Sequence, residues 1–326
     1  MNVLSGFRAI ARVAALALVC TLIAAASANR AGGHAAGSFS LEMDGVNVGL
    51  LTQVYSSNAV LNAGKLNMNY VTSMTSGPIT WQRISFSFNV GMSQALYDWI
   101  AATTNGTFAT HDGAVVLCNA QQRPIQRLEF TKAVIAVIKF PDVSVLNQDA
   151  GVMTLTLSVS STKLVTSNDL PINPPKLDPA RWPLRQFVFN IPNFDCSQVK
   201  TVESVTMYGR VIDLTKGNLV EVPAVPSLKM HLMLVAMPAG DQATGPFDNW
   251  FKLTNGKPFT GAKTGTIQYM ETDGRVLFTL TFPAIGISSF ADLGKAAALT
   301  QLPVRYQVEL PFSTPTFSYS PLAIGH

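Results

Sequence analysis

Charged side chains are scarce in this chain of 326 residues, since aspartate, glutamate, lysine and arginine make up only 13% of it. A soluble domain usually carries about 25%. Lysine and arginine form no block and the net charge is only +4, so the composition gives no support to nucleic-acid binding. A surface this poor in charge suits a protein that covers itself with copies of itself.

Histidine and cysteine are rare as well, with four and three residues in the whole chain. The histidines show no metal-ligand spacing and the cysteines stand singly, so the sequence predicts no metal site. It contains neither a Gly-x-Ser-x-Gly elbow nor a glycine-rich phosphate loop, and we predict no catalytic residue and no cofactor. His111-Asp112 could orient a serine nucleophile, but a polar loop explains this pair better.

The one long apolar run lies at the N-terminus. Arg8 and Arg12 precede an almost wholly apolar stretch, and Ala26-Ser27-Ala28 then provides the small-x-small pattern of a signal peptidase site. We predict a signal peptide over residues 1–28 and a flexible lead-in over 29–37, hence export to the periplasm, the cell surface or the medium. The run is short for a span of about 20 residues, and an N-terminal anchor is the alternative.

After removal of such a signal, two cysteines would remain, Cys118 and Cys196. An exported chain meets an oxidising compartment, so a disulfide between them is one alternative. Bridge geometry is demanding, and two free, buried thiols are the other alternative. No later segment is apolar for long enough to cross a bilayer, so no stable membrane span is expected after cleavage.

Residues 166–184 are rich in proline, which lacks a backbone donor and fixes φ. This composition predicts a stiff, extended linker between a first domain, 38–165, and a second, 185–326. The two domains align with each other in several segments. The matched segments are 39–43 with 187–191, 54–56 with 202–204, the alternating strands 84–90 with 228–234, 140–142 with 290–292, and the closing strands 153–159 with 304–310. Asp273-Gly274 between alternating strands predicts a hairpin turn in the second domain. Trp182, at the end of the linker, is expected to pack onto one domain.

The sequence also predicts one short helix in each domain, Met92–Thr103 in the first and Gly245–Leu253 in the second. Asn-Gly follows each helix and supplies the left-handed residue that ends it. The remaining segments alternate as strands do, so the fold class is mainly β: two similar β-sandwich or barrel domains, each with one short helix packed on the sheet. Helical spacing predicts that five apolar residues of the helices are core. These are Leu96, Trp99, Ile100, Phe247 and Trp250. A sugar-binding platform made by the two tryptophans is the alternative.

The strand Gly77 to Gly91, followed by Ala95-Leu96-Tyr97-Asp98-Trp99-Ile100, resembles the strand-then-helix core of the tail tube proteins of contractile phages and related injection systems. The next hairpin, Leu117 to Phe130, and the opening turn, Met43 to Gly49, are similar to theirs as well. The resemblance covers about residues 38–166, and the second domain is connected to it mainly through the internal alignment.

The resemblance implies a non-enzymatic structural protein. In that family, strands join side by side into a six-fold ring around a lumen, and rings stack through loops and an extended arm, for which Ser57 to Ser76 is the candidate. Two units in one chain would build a pseudo-six-fold ring from three molecules. The export signal departs from the family, whose members assemble inside the cell.

We therefore predict an exported, self-assembling structural protein whose main partner is itself, with other envelope or tail-like proteins as further candidates. A monomeric secreted module that binds envelope polysaccharide or a surface protein is the alternative. A hydrolase with a site between the two domains is a third hypothesis, because fold alone does not decide function.

Overall fold

The computed structural model describes residues 38–56, 59–62, 65–68, 82–107, 109–172, 181–208, 212–213, 218–219, 228–236, 245–295 and 304–320. The predicted signal peptide and lead-in lie outside these residues, as do most of the predicted arm and residues 173–180 of the predicted linker. Among the described residues, no helix is long and apolar enough to cross a bilayer.

The described chain is mainly β, as predicted, with several antiparallel sheets and two helices. The elements of the first half are β1 (Ser38–Met43), β2 (Val46–Leu51), β3 (Gln53–Ser56), β4 (Ala59–Asn62), β5 (Lys65–Met68), β6 (Gln82–Phe88), α1 (Gln94–Thr104), β7 (His111–Cys118), β8 (Pro124–Lys139), β9 (Val143–Ser144), β10 (Met153–Val159) and β11 (Ser161–Thr166). Those of the second half are β12 (Phe187–Asn190), β13 (Val199–Val202), β14 (Thr206–Tyr208), β15 (Ile212–Asp213), β16 (Asn218–Leu219), β17 (Lys229–Ala236), α2 (Gly245–Thr254), β18 (Lys263–Met270), β19 (Val276–Ile285), β20 (Ser289–Lys295), β21 (Val304–Pro311) and β22 (Thr316–Tyr319).

The long strand β8 divides the first half into two sheets. Its first part pairs with β7 and β11, giving sheet A in the order β2-β1-β7-β8-β11. Its last part pairs with β10, giving sheet B in the order β8-β10-β6-β3-β4-β5. Lys132, with φ of 48°, lies between the two parts. A left-handed residue there is consistent with a local change of strand direction.

The second half repeats this topology. Sheet C runs β12-β18-β19-β22 and matches β1-β7-β8-β11, while sheet D runs β20-β21-β17-β13-β9 and its first four strands match β8-β10-β6-β3. Where the first half has the single strand β8, the second has β19 and β20 with residues 286–288 between them. The internal duplication read from the sequence is therefore present in the strand order.

The register corrects the sequence alignment in three strands of the second half. Val54 pairs with Phe86, and the aligned Val202 pairs with Leu232, so Phe86 is equivalent to Leu232. The sequence alignment instead matched Phe86 with Met230, two residues away, and the closing strands β10 and β21 are displaced in the same way. It also matched Phe140 with Phe290, whereas Ile138 and Phe290 lie opposite the equivalent residues Leu155 and Val308, so Phe140 is equivalent to Asp292. Because strand side chains alternate with a period of two, a shift by two keeps every apolar residue on the inward face and leaves no trace in the pattern.

The helices begin and end close to the predicted residues and lie on the core. Ser93 is the N-cap of α1, but its side chain makes no capping hydrogen bond. Leu96, Ile100 and Phe247 are fully buried. Each helix contributes its apolar stripe to one continuous hydrophobic cluster that extends through both halves.

The described residues, from Ser38 onward, form one compact unit. Strands cross between the halves, since β14 pairs with β8 and β9 pairs with β13. The domain boundaries at 165 and 185 stay a prediction, and the two parts are called halves below.

Candidate functional site

The two halves meet along a seam of paired strand edges. β14 lies along the last part of β8, with Thr206 opposite Lys139, and the Phe140 N–H donates to the Val205 carbonyl at 2.9 Å. In turn, β9 lies beside β13, with Val143 opposite Val202. Sheet B thus continues into sheet D, and the backbone groups of both edges are satisfied by the other half.

Helix α1 docks on sheet C at the same seam. The Tyr319 hydroxyl donates to Asp98 Oδ1 at 2.6 Å, and the Phe317 N–H donates to Thr104 Oγ1 at 3.0 Å. The Tyr97 ring lies 5.5 Å from the ring of Phe278 and 5.4 Å from that of Tyr319, between centroids. Burial raises the pKa of the Tyr97 hydroxyl above its ordinary value. The helix that covers the first half therefore also helps to bury the core-facing side of sheet C.

The end of the predicted linker completes the seam. Trp182 is buried, with its ring centroid 5.1 Å from that of Phe278 and 5.8 Å from that of Tyr269. The Gly151 N–H donates to the Trp182 carbonyl at 2.6 Å. A Cβ atom at Gly151 would run into the indole ring, so only glycine fits there. Trp182 was expected to pack onto one domain; instead it lies between the halves, with its ring against Phe278 and Tyr269 of sheet C and against Gly151 of the first half.

A buried carboxylate lies beside Trp182. Arg181 pairs with Glu271, whose side chain is almost fully buried, and the Arg275 guanidinium lies 2.8 Å from the other oxygen of the same carboxylate. A buried charge is tolerated when cationic groups and hydrogen bonds surround it. This ion triplet ties the predicted linker to the hairpin between β18 and β19, where Gly274 makes the predicted turn with φ of 87°.

An open groove of about 400 Å³ lies on the outer face of sheet D, next to the seam. Its lining residues are Asp142, Thr201, Glu203, Ser204, His231, Leu232, Met233 and Gln307. They come from the first half, before β9, and from β13, the loop after it, β17 and β21 of the second. The groove is thus a concave surface lined by both halves, as the third hypothesis requires.

The charged groups at the groove are paired with one another. His231 Nδ1 contacts Glu203 and its Nε2 lies 3.1 Å from Glu309 Oε2, while Lys229 Nζ lies 2.8 Å from the same oxygen. The hydrogen bond from Lys229 and that from the Ser288 hydroxyl lower the pKa of Glu309. A lowered pKa opposes the role of general acid, which needs a carboxyl that keeps its proton near neutral pH. Among the described residues, no group of histidine, cysteine, aspartate or glutamate side chains could hold a metal ion.

The two helix tryptophans lie inside the core. Trp99 and Trp250 are each 3% exposed. The indole N–H of Trp99 donates to the Ala109 carbonyl at 3.2 Å, and its ring centroid lies 4.7 Å from that of His111. In the second half, Lys263 Nζ lies 5.4 Å from the ring centroid of Trp250. Rings buried in this way present no open face on which a sugar could stack.

The remaining candidate residues are separated. His111 Nδ1 lies 2.6 Å from Asp44 Oδ2, so its carboxylate partner is Asp44 and not the neighbouring Asp112. Cys118 and Cys196 are both free thiols. Cys118 is buried in a small cluster beneath Ile172, where burial raises its thiol pKa to about 11, while Cys196 packs against the main core.

The sequence pattern of the helices predicted their core residues, but no pattern predicted the seam. Tyr97, Asp98 and Tyr319 come together from distant parts of the chain, with Asp98 and Tyr319 separated by 221 positions in sequence, and no local pattern marks them as partners. The one signal that was present is the aromatic side chain at position 97, which follows the inward Leu96 and lies beside the predicted core stripe. Known proteins add no further assignment, since no family model and no curated protein matches this chain.

Proposed function

We propose that this chain is an exported, non-enzymatic structural protein, similar to phage tail tube subunits, that assembles into rings, tubes or filaments. Its two halves would be two similar β-sandwich or barrel domains of that type. The single observation that carries the proposal is the asymmetry of the seam. The scarcity of charged residues and the internal duplication support it as well.

The seam joins two different edges, the end of β8 in the first half and the β13–β14 edge in the second. Because both halves have the same strand order, each half carries a version of both edges. One version of each is used inside the chain, which leaves β20, the match of the end of β8, and β3, the match of β13. A contact of this head-to-tail kind repeats between copies until a ring closes or a filament grows.

Both remaining edges carry exposed apolar side chains. β20 is the terminal strand of sheet D, and its Leu293 is 50% exposed. Among the described residues, the outer side of β3 meets only β4, through the pair Ser56 and Ala59, and its Tyr55 is 58% exposed. An exposed edge strand such as β20 is a template for pairing with another chain. We therefore expect β20 of one copy to add to β3 and β4 of the next.

Light scattering after size exclusion and negative-stain microscopy of residues 29–326 test the proposal. We expect masses that are multiples of the chain, growing with concentration, and ring-shaped or tubular particles. A monomer at every concentration reached would overturn self-assembly and favour the binding-module alternative.

A variant of the free edge makes this test sharper. Asp292 is equivalent to Phe140, whose N–H donates across the seam, and it is exposed. Asp292→Pro removes that donor and should abolish assembly, because proline cannot extend a sheet at a paired position. Asp292→Ala keeps the N–H and is the matched control, with assembly unchanged. Equal behaviour of the two variants would exclude pairing at this edge.

Export has its own measurement. Mass spectrometry of the natural N-terminus should find that the secreted chain begins at Asn29, after Ala26-Ser27-Ala28. An intact N-terminus on a membrane-bound protein would instead favour the anchor.

A further inference from the structure

We propose that α2 of one copy docks on sheet A of the next copy, at the surface equivalent to the one that α1 occupies on sheet C. This inference rests on the proposed self-assembly and names its second contact, a helix on a sheet face. The partner is a second copy of this chain, and the internal seam is the template for it.

The seam consists of two contacts produced by one placement of the halves. The pairing of β14 with β8 and the docking of α1 against β22 both result from it. If the same placement relates the second half of one copy to the first half of the next, it brings β20 to β3 and β4. It then necessarily brings α2 to β11, the match of β22. The helix contact thus follows from the same geometry as the strand contact.

The receiving surface can be identified from the register. In sheet C, one core-facing row consists of Phe187, Tyr269, Phe278 and Tyr319. The equivalent row of sheet A consists of Phe39, Leu117, Gln126 and Thr166. Phe278 is 1% exposed beneath α1 and Trp182, whereas its match Gln126 is half-buried and Thr166 is exposed.

A small apolar group lies at this receiving surface. Leu117 packs there with Phe39, Ile125 and Leu164, the last three being only partly buried. Phe39 and Leu164 also pack against the main core. Leu164 is the match of Phe317, since both lie opposite the equivalent residues Leu128 and Leu280. The second half covers this region with a helix of the same chain, and the first half presents it for a helix of a neighbour.

The docking face of α2 follows from the equivalence of the two tryptophans. Trp99 lies against His111 and Trp250 lies against Lys263, and these two residues open the matching strands β7 and β18. Asn249, just before Trp250, is therefore the match of Asp98 and is exposed.

On both sides of the proposed contact, polar side chains take the place of the aromatic side chains of the internal seam. Within the chain, Asp98 accepts a hydrogen bond from Tyr319; between copies, Asn249 faces Thr166, which pairs an amide with a hydroxyl. The aromatic contact of Tyr97 with Tyr319 becomes one of Asp248 with Thr166. Polar groups meet polar groups on both sides, which suits an interface that also has to be soluble before assembly.

Cross-linking between two cysteine variants tests the proposed proximity. One copy carries Asn249→Cys and the other Thr166→Cys, both with Cys196→Ser, and the mixture is treated with a short bis-maleimide. We expect a product of two-chain mass from the mixture and not from either variant alone. Replacing Thr166→Cys by Ser318→Cys, an exposed position on the outer face of sheet C, is the matched control and should give no product.

A double variant tests the same contact by strengthening it. Asn249→Asp with Thr166→Tyr rebuilds the Asp98–Tyr319 hydrogen bond between copies at two exposed positions. A hydrogen bond to a carboxylate is strong enough to lower the concentration at half-assembly by about tenfold, and either single variant should have a smaller effect.

The outcomes separate this inference from the proposed function. If Asp292→Pro abolishes assembly while the mixture gives no cross-link and the double variant no shift, strand edges alone join the copies and the helix contact is refuted. Monomers at every concentration would refute the helix contact and self-assembly together. A cross-link with a tenfold shift establishes the contact.

Discussion

On the outer faces of sheets B and D, the two halves carry different chemistry at the same register positions. In sheet B, the hydroxyls of Ser85 and Thr156 lie 2.7 Å apart. The matching positions of sheet D hold His231 and Glu309, with Nε2 and Oε2 3.1 Å apart. Only the inward rows are constrained by packing, so outward pairs are free to be neutral in one half and charged in the other.

The inward rows differ for a different reason. The sheet C row is aromatic where α1 and Trp182 bury it, and the matching sheet A row ends in Gln126 and Thr166. The halves therefore share a topology but not an environment, because the seam covers one and leaves the other at the surface. Four sets of substitutions test this contrast.

The largest effect is expected at Trp182, which has no counterpart over sheet A within the part of the chain that the structure describes. Trp182→Ala should lower the free energy of unfolding by about 3–5 kcal/mol, because it leaves a cavity beside Phe278 and Tyr269. Trp182→Phe should cost less, since the indole N–H has no hydrogen-bond partner among the described residues. Urea denaturation measures both, and Leu170→Ala, at an 80% exposed position, is the near-neutral control. A cost below about 1 kcal/mol for Trp182→Ala would contradict its role.

A smaller effect separates two equivalent glycines. A Cβ atom at Gly113 would lie 2.7 Å from the Phe130 ring and closer still to the Glu42 carbonyl oxygen, which is backbone. At Gly265 the nearest atom is the flexible end of Ile285, at 2.6 Å, and the Asn190 carbonyl oxygen lies at 3.0 Å. We expect Gly113→Ala to cost about 3 kcal/mol and Gly265→Ala about 1 kcal/mol in unfolding free energy. An equal loss of unfolding free energy in the two variants would mean that the two positions do not differ in the room they leave for a Cβ atom.

The next effect concerns the hydrogen bond that docks α1 on sheet C. Tyr319→Phe removes the bond to Asp98 and should cost about 1 kcal/mol. Burial, followed by the neighbouring Asp98, raises the pKa of Tyr319 to about 12, whereas an unfolded tyrosine has a pKa of about 10. The folded state thus favours the neutral phenol, and this stabilisation is complete below pH 10 and lost as the pH rises toward 12. In thermal melts, the melting temperature of Tyr319→Phe should fall less steeply over that pH range than the melting temperature of the unaltered protein. An equal fall in both proteins would exclude the bond.

The smallest effect belongs to the charged cluster on sheet D. Hydrogen bonds from Lys229 and Ser288 lower the pKa of Glu309, so its carboxylate stabilises the fold above the unfolded pKa, and this contribution disappears as the pH falls through the folded value. Glu309→Gln should cost about 0.5 kcal/mol at pH 7 and almost nothing at pH 3, because the cluster is partly open to solvent. Thr156→Val, at the matching position of sheet B, should cost a similar amount at both pH values. Denaturation curves at the two pH values distinguish them.

Much of the local structure could be predicted. Alternation predicted the strands, helical spacing placed Trp99 and Trp250 in the core, and Asp273-Gly274 predicted the hairpin between β18 and β19. The internal alignment identified the matching elements but was two residues out in β17, β20 and β21, since a strand pattern is unchanged by that shift.

The amino-acid sequence by itself determined the order of the strands and helices, the inward face of each strand and the duplication of the whole pattern. These features depend on the side-chain periods of strands and helices, two and 3.6 residues, which can be recognised within one segment. The seam was decided only by tertiary structure, because Tyr97 and Tyr319, or Phe140 and Val205, meet across long separations in sequence. Pairing of strand edges uses backbone groups that every residue shares, so no side-chain pattern predicts which two edges will pair.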